Sequence, residues 1–581
     1  MAQSKFSRLA AYLKPHWRQV VLGCGALLVV NGLGVWIPQL IGNVVDELDI
    51  SFSFARIFRY VLLILGLASL MWFIRMASRV TLFGVGRQVE FDLKQRIFEH
   101  LLTLEPAYFA RNTIGDLINR ATSDVDNIRR LLGFAVLSIV NTMFAYALTI
   151  PFMFRISLRL SLAALAIYPV MLVLVRLFGE RLRHQQLQVQ ERISDLSDLI
   201  QEDMSGISLV KIYAQEENER RAFAELNTHL LTANLALAKT RNTLFPLLGG
   251  LASISLVIIL ALGSRSIASG QLSVGGFVTL ILYVERLVFP TALLGFTITA
   301  YQRGEVSIDR IEAIFEVQPK IQDTAAALTL SEPVRGQLTA RGLSFSYPSS
   351  DRPALDQVSF EVQPGERVAI VGPIGSGKST LAMALPRLLE IAPGQLFLDD
   401  KDVTEIALAD LRRAIAFVPQ DSFLFSTTIK NNIRYGDPLA EQPEVEQAAK
   451  EAQIRDEILT FPQQYKTLVG ERGITLSGGQ RQRTALSRAL LVDAPILVLD
   501  DALSSVDNQT ATQILDNLSS EAQQKTVIFV SHQMSAAATC DRILVMQQGL
   551  IVQAGTHADL IAQPGLYQTL WDQHKLKEGL R

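Results

Sequence analysis

Cysteine is nearly absent from this chain: two occur in 581 residues, Cys24 within an apolar run and Cys540 near the far end. Two thiols so widely separated give neither a disulfide framework nor the ligand spacing of a metal site. Both read as small buried apolar residues. An excess of charge of either sign is lacking too. Lysine and arginine number 54 against 56 acidic residues, a formal net charge of −2, so no basic field points to nucleic acid.

Apolar residues are abundant, 49% of the total, with a positive mean hydropathy. They are unevenly spread. Long uncharged runs fill about the first 300 residues, whereas about the last 250 read like a soluble α/β protein. A chain of this length holds two or more domains, each with its own core. Lys5, Arg8, Lys14 and Arg18 surround the start of the first run, which is too long for a signal-peptide core and lacks a small-residue cleavage site. Residues 5–17 read as an amphipathic interfacial helix, with Phe6, Leu9, Tyr12 and Leu13 on the apolar side and Trp17 at headgroup level.

A helix needs about 20 apolar residues to cross a bilayer. Six stretches qualify: Val20–Val45, one starting near Tyr60 and meeting Arg75, Leu131–Phe154, Leu160–Val175, Asn242–Gly263 and about Phe277–Ala300. The connections alternate in length. DELDISFSFAR, RISLR and RSIASGQLSVGG are short, whereas 79–130 and 177–241 are long, charged and poor in glycine and proline. The long segments are expected to continue the spans as helical rods. They are dense in arginine and lysine, so the positive-inside rule puts them, with the N-terminus, in the cytoplasm.

Charges also fall inside the spans. Arg75 and Arg79 lie four residues apart, on one helix face, and Glu285 and Arg286 interrupt the sixth span. Such charges face a water-filled cavity or pair with one another. Both readings are open: a polar substrate pathway, or an internal ion pair with Arg79 snorkelling to the interface. Pro290 and Gly295 permit a bend in the sixth span.

After Glu316 the composition changes. A polar, proline-containing linker gives way near Leu338 to short β-rich runs alternating with helical patterns. The expected organisation is an interfacial helix over 1–18, a six-span domain over 19–316, a linker over 317–337 and an α/β domain over 338–581. The motif Gly372-Pro373-Ile374-Gly375-Ser376-Gly377-Lys378-Ser379 follows the apolar strand RVAIV and precedes a helix. This is the phosphate-binding loop. Its glycines let backbone N–H groups turn inward around phosphates, Lys378 neutralises the terminal phosphates, and the Ser379 hydroxyl can ligate Mg2+. The helix that follows presents its positive end to the anion. A second apolar strand, Ile496–Leu499, delivers Asp500, read as the Mg2+ ligand, directly or through water.

Between these strands stands Leu476-Ser477-Gly478-Gly479-Gln480, which resembles the signature of the ATP-binding cassette (ABC) family. Other motifs of that family stand in order. The resemblance implies that Tyr347 stacks on adenine and that Gly372, Gly375, Ser376, Gly377, Lys378, Ser379 and Thr380 bind ATP. It implies that Gln420 senses Mg2+ and the membrane domain, that Asp507 lies in a dimer-interface loop after Ser504-Ser505-Val506, and that His532 reaches the γ-phosphate. It covers nearly the whole chain: YFARNTIGDLINRATSDVDNIR (Tyr108–Arg129) and GISLVKIYAQE (Gly206–Glu216) look like the two intracellular loops of ABC exporters, and GERG (Gly470–Gly473) is exporter-like. The fold class it implies is a six-span α-helical transmembrane domain with long cytosolic helical extensions, plus an α/β P-loop cassette domain. Two such halves sandwich two ATP molecules, each between the phosphate loop of one half and Ser477, Gly478, Gly479 and Gln480 of the other.

One position departs from the family. Where a glutamate usually follows the magnesium aspartate as general base, this chain has Asp501. Its carboxylate is one methylene shorter, about 1.5 Å. This resembles the weak site of heterodimeric exporters, with an intact signature donated to a partner's site; a small backbone shift that lets Asp501 work is the other reading. The expected function is ATP-driven export of amphipathic small molecules, drug-like or lipid, by one half of a dimer with a second ABC half-transporter. A homodimeric lipid flippase and a regulatory or channel-gating ATPase are the alternatives. Peptide export is disfavoured because no protease domain precedes the first span, and the lack of a presequence points to a bacterial inner membrane.

Overall fold

A computed structural model describes residues 5–50, 53–323, 327–330, 333–348, 350, 352–506, 509–511, 513–514 and 525–579. The chain divides into two compact units, Met1–Leu102 with Thr113–Val317, and Thr103–Asn112 with Gln318–Arg581.

Among the described residues six helical stretches are long and apolar enough to cross a membrane: Leu9–Leu48, Phe54–Thr103, Ile114–Ile156, Leu158–Ser205, Glu216–Ala268 and Val274–Phe315. At 1.5 Å per residue, a helix of about 50 residues spans about 75 Å, against a hydrocarbon core of about 30 Å. The stretches Phe54–Thr103 and Glu216–Ala268, with 50 and 53 residues, therefore carry long extensions. Within those two helices the extensions run unbroken, and the long segments turn only between helices. Pro106 opens a separate short helix, Pro106–Arg111, and Ile207–Ile212 forms another between Gly206 and Tyr213. The short connections are briefer than the apolar runs imply: helix runs through Ile50, Ser157 alone separates Ile156 from Leu158, and Ser269–Ser273 joins the last two spans. Helical hydrogen bonding outlasts hydrophobicity wherever the polar residues that follow are themselves helix-compatible.

Local capping explains one such end. Ser273 Oγ accepts from the Gly276 N–H at 3.0 Å, while Asp46, from the first span, accepts the Gly275 N–H at 2.6 Å. Two orphan donors at the start of the sixth-span helix are thereby satisfied, with a carboxylate at the positive end. The helix Lys5–Leu13 also has a protein partner. Tyr12 is buried with Val85, Val89, Leu93 and Ile311, Leu9 and Leu13 pack beside it, and the Tyr12 hydroxyl donates to Glu312. Trp17 remains 56% exposed.

Glu285 and Arg286 form no ion pair among the described residues, which removes that reading. Glu285 is exposed, whereas Arg286 reaches the first span and donates to the backbone oxygen of Asn31 at 3.1 Å and to its Oδ1 at 3.0 Å. Asn31 is 3% exposed and passes its own amide protons to Leu27 O and to Asn141 Oδ1 in the third span. Gly34 makes room for this. A Cβ there would lie 1.5 Å from Arg286 Nη1, so only a glycine lets the guanidinium lie across the first span.

The described residues of the second unit form two sheets. The smaller contains β1 (Leu338–Phe345), β2 (Leu355–Val362), β4 (Leu396–Leu398) and β5 (Lys401–Asp402), antiparallel in the order β2-β1-β4-β5. The larger runs β10-β9-β3-β8-β7-β6, with β10 (Leu550–Gly555), β9 (Arg542–Gln547), β3 (Arg367–Val371), β8 (Thr526–Val530), β7 (Ile496–Asp500) and β6 (Ile415–Val418). All its pairings are parallel except β9 with β10. Every residue of β7 and β8 is buried, as expected of central parallel strands covered on both faces. Leu497, Leu499 and Phe529 face one core, and Ile496, Val498 and Ile528 the other.

Candidate ATP-binding site

Parallel strands deliver their successors to one edge of the sheet, and four neighbours do so here. After β3 comes the loop at Gly372, after β8 His532, after β7 Asp501, and two residues after β6 Gln420. Ligands of open α/β sheets bind at the carboxyl ends of the strands.

The loop's conformation depends on glycine. Gly377 has φ +98°, and a Cβ there would sit 2.3 Å from the Ala354 carbonyl. Gly372 would meet the Met546 carbonyl at 2.2 Å, and Gly375 also has a positive φ, +79°. Lys378 and Ser376 are buried, 6% and 2% exposed. The Lys378 ammonium donates to Gly372 O and Pro373 O, both at 2.9 Å, so it fills the space the loop encloses. Burial pulls the Lys378 pKa down, while Asp501 and Asp500 act against that. Ser379 Oγ donates to Asp500 Oδ1 at 2.9 Å. Asp500 is pushed above the usual carboxylate range by burial and by Asp501, against the Ser379 bond and Lys378. Tyr347 stands edge-on to Phe345, with its hydroxyl 3.3 Å from Thr380 Oγ1.

Asp501 has φ +49°, an uncommon conformation for a side chain that is not glycine. Its N–H donates to Val530 O at 2.8 Å, which ties it to the end of β8 next to His532. One carboxylate oxygen, Oδ2, accepts a long bond from Gln420 Nε2 at 3.4 Å; the other, Oδ1, is buried without a partner among the described residues. Burial raises the Asp501 pKa, with His532 and Lys378 opposing. His532 is lowered by loss of solvent and by Lys378, against Asp501.

The signature lies apart from this constellation; among the described residues no hydrogen bond links it to the phosphate loop. Ser477 caps the helix Gly478–Leu491 in a capping box: Gln480 N–H donates to Ser477 Oγ at 3.3 Å, and Ser477 N–H to Gln480 Oε1 at 2.9 Å. The Gln480 amide also donates to Glu457 at 3.0 Å, so both ends of this side chain are engaged within the chain itself. Two residues missed in the sequence hold the segment Leu503–Val506. Gln482 donates to Ser504 Oγ at 2.9 Å and accepts the Ser505 N–H at 2.8 Å, while Gln533 donates to Leu503 O at 3.2 Å. Their only sequence signal is proximity to the signature and to His532. Asp507 lies outside the described residues.

Residues 20–291 match the ABC transporter transmembrane region, and residues 355–504 the ABC transporter family. The chain is 34% identical over 582 residues to the multidrug resistance-like ATP-binding protein MdlA of Escherichia coli, covering 99% of this chain and 97% of that protein. It is 32% identical over 568 residues to the ATP-dependent lipid A-core flippase of Thiobacillus denitrificans, covering 97% of each. Among solved structures, a bacterial Atm1-family ABC exporter with ATP bound superposes with a TM-score of 0.79 at 28% identity, covering 96% of this chain and 99% of that one. A chain of this architecture and these motifs is an ABC transporter, of the exporter kind that fuses a transmembrane region to its ATPase domain. It is an integral membrane protein.

Proposed function

We propose that this chain is one half of a heterodimeric, ATP-driven exporter of amphipathic small molecules, carrying the weak ATP site and donating an intact signature to its partner. The observation that carries the proposal is Asp501. It occupies the general-base position with a side chain one methylene short, one oxygen unpartnered, and the other 3.4 Å from Gln420. The names of relatives, a multidrug resistance-like protein and a lipid A-core flippase, support drug-like or lipid substrates.

In this reading Tyr347 stacks on adenine, and the loop from Gly372 to Thr380 holds the phosphates around Lys378. Ser379 and Asp500 present two hard oxygen donors already 2.9 Å apart, a donor set that fits Mg2+. Bound there, Mg2+ would neutralise phosphate charge. Gln420 and His532 flank the γ-phosphate position, and Asp501 orients water poorly. Ser477, Gly478 and Gly479 complete the partner's site, Gln480 positions Ser477, and Asp507 contributes to the dimer interface. The relatives' sources and the distribution of basic residues support a bacterial inner membrane with the ATPase domain cytoplasmic.

Gentle extraction of the tagged chain from its native membrane tests this. Co-purification one to one with a second ABC half that has glutamate at the catalytic position is expected. Recovery of this chain alone as a homodimer with brisk ATPase activity would refute the heterodimer and favour the flippase-like alternative. Absence of substrate-stimulated ATPase would favour a regulatory ATPase.

A further inference from the structure

Two neighbouring cavities lie within the first unit, and arginines dominate the polar lining of both. One, about 520 Å³, is lined by Arg75, Arg79 and Arg286, with Asn31, Ser138 and Asn141 beside them. The other, about 380 Å³, is lined by Arg130, Arg183, Arg241 and Arg303. Phe134 lines both, and it sits in a π-helical turn, Leu131–Ala135, an irregularity often found at functional positions. No carboxylate among the described residues lines either cavity. Among the described residues only Arg130 of these seven has an acidic partner, Asp126 at 2.7 Å.

Two further observations point to a ligand. Ser138 is 3% exposed, lines the larger cavity, and its hydroxyl has no hydrogen-bond partner among the described residues. Arg286 is pre-positioned, held by Asn31 across the glycine at 34, with Asn31 itself locked to Asn141. A guanidinium stays charged and matches carboxylate and phosphate oxygens in a two-pronged geometry, and Arg75 and Arg286, which fall inside spans, are costly to keep there without a counter-charge. Asn127, Gln186 and Thr299 add neutral polar groups to the smaller cavity, and the rest of the walls are apolar, with Phe83, Leu27, Val30 and Phe289 in one cavity and Leu182 and Leu244 in the other.

We infer that these cavities form a cationic track with two stations, divided by Phe134, for an amphiphile bearing an anionic phosphate or carboxylate head group. The arginines bind the head, Ser138 donates to it, and the aromatic and aliphatic walls hold the tail. A cationic amphiphile meets only like charges there. The inference rests on the export reading and narrows it to one substrate class.

The test uses the full chain, with any half-transporter that accompanies it, in nanodiscs of phosphatidylcholine. Binding of dodecyl phosphate is measured by equilibrium dialysis, and ATPase is titrated with dodecyl phosphate, phosphatidylglycerol and dodecyltrimethylammonium. Dodecyl phosphate is expected to bind and to stimulate at about tenfold or more lower concentration than the cation, in line with a charge-assisted hydrogen bond. Arg286→Gln should weaken its binding about tenfold, with Arg286→Lys retaining much of it. Stimulation by phosphatidylglycerol alone would assign the anion to the bilayer, and stimulation by dodecyl phosphate alone to a soluble amphiphile; either supports the track. Equal or better stimulation by the cation, or binding unchanged by Arg286→Gln, overturns it while leaving the pump intact. Arginine-dependent binding without stimulation by any probe leaves the track standing and sinks the pump.

Discussion

Lengthening Asp501 by one methylene, as Asp501→Glu, should raise ATP hydrolysis at this chain's own nucleotide. The magnitude follows from the geometry. Asp501 approaches the site from the end of β7, with its backbone pinned to Val530 at 2.8 Å, so the main chain has little freedom to compensate for a short side chain. Glutamate carries the carboxylate about 1.5 Å further. Misplacement by about 1 Å costs on the order of a hundredfold, so the gain at this site should be of that size. How it shows in bulk depends on the partner. If a partner's site already turns over, total ATPase rises at most about twofold, because one working site becomes two. In a homodimer, total ATPase rises by the full order of a hundredfold. Trapping a radiolabelled photoreactive ATP with vanadate, then separating the subunits, reads this chain's site alone. Label on this chain should rise from near background to the partner's level, and Asp501→Asn should stay at background. Wild-type trapping already equal to the partner's, or no increase with glutamate, would mean that Asp501 is a working base and that length is not what the site lacks.

Ser477→Ala should abolish most turnover, far exceeding Asp501→Ala, and should cost about 1 kcal/mol in thermal stability through the lost cap; equal losses would refute the asymmetry. Gln482→Ala removes the bonds to the Ser504 hydroxyl and the Ser505 N–H, both on exposed residues that water can reach, so a loss of about 1 kcal/mol is expected in denaturant melts, with ATPase falling alongside. Gly34→Ala puts a Cβ 1.5 Å from Arg286 Nη1 and must evict the guanidinium; dodecyl phosphate should then bind about tenfold more weakly, and unchanged binding would mean that Arg286 is not pre-positioned. Partial burial and Lys378 hold the His532 pKa below its ordinary 6.5, so the imidazole is neutral at pH 7. Lowering the pH through that depressed value adds a positive charge beside Lys378. The acid limb of ATPase assigned to His532 should thus fall below pH 6.5 and vanish in His532→Gln, and a limb above 6.5 would contradict the depressed value.

The backbone geometry of the candidate phosphate loop was legible because close packing constrains it. Gly377 and Gly372 are glycines since carbonyls of Ala354 and Met546 stand where a Cβ would go, and such constraints write themselves into sequence. Spans were legible by hydropathy, and the fold class with them. Contacts set by helix rotation were not. Periodicity places Arg75 and Arg79 on one face but cannot say that Arg286 passes over Gly34 to Asn31 rather than pairing with Glu285, because that depends on how two long helices are phased. The interruptions at Pro106 and Gly206 were hidden within segments whose composition is helical on both sides. Gln482 was invisible for another reason: a glutamine on a polar helix reads as surface, yet it is only 6% exposed.

The segment Leu503–Val506 is gripped from two directions, by Gln482 on the signature helix and by Gln533 next to His532. With the nucleotide pairing proposed above, one grip belongs to the half-site offered to the partner and the other to the chain's own γ-phosphate sensor. The segment is then a crossbar between two locks, so that occupancy of one site biases the shape presented to the other. A site that hydrolyses slowly would still act as a timer: for as long as its ATP stays, the crossbar stays set, and the dwell time of the closed pump is written by the slower half.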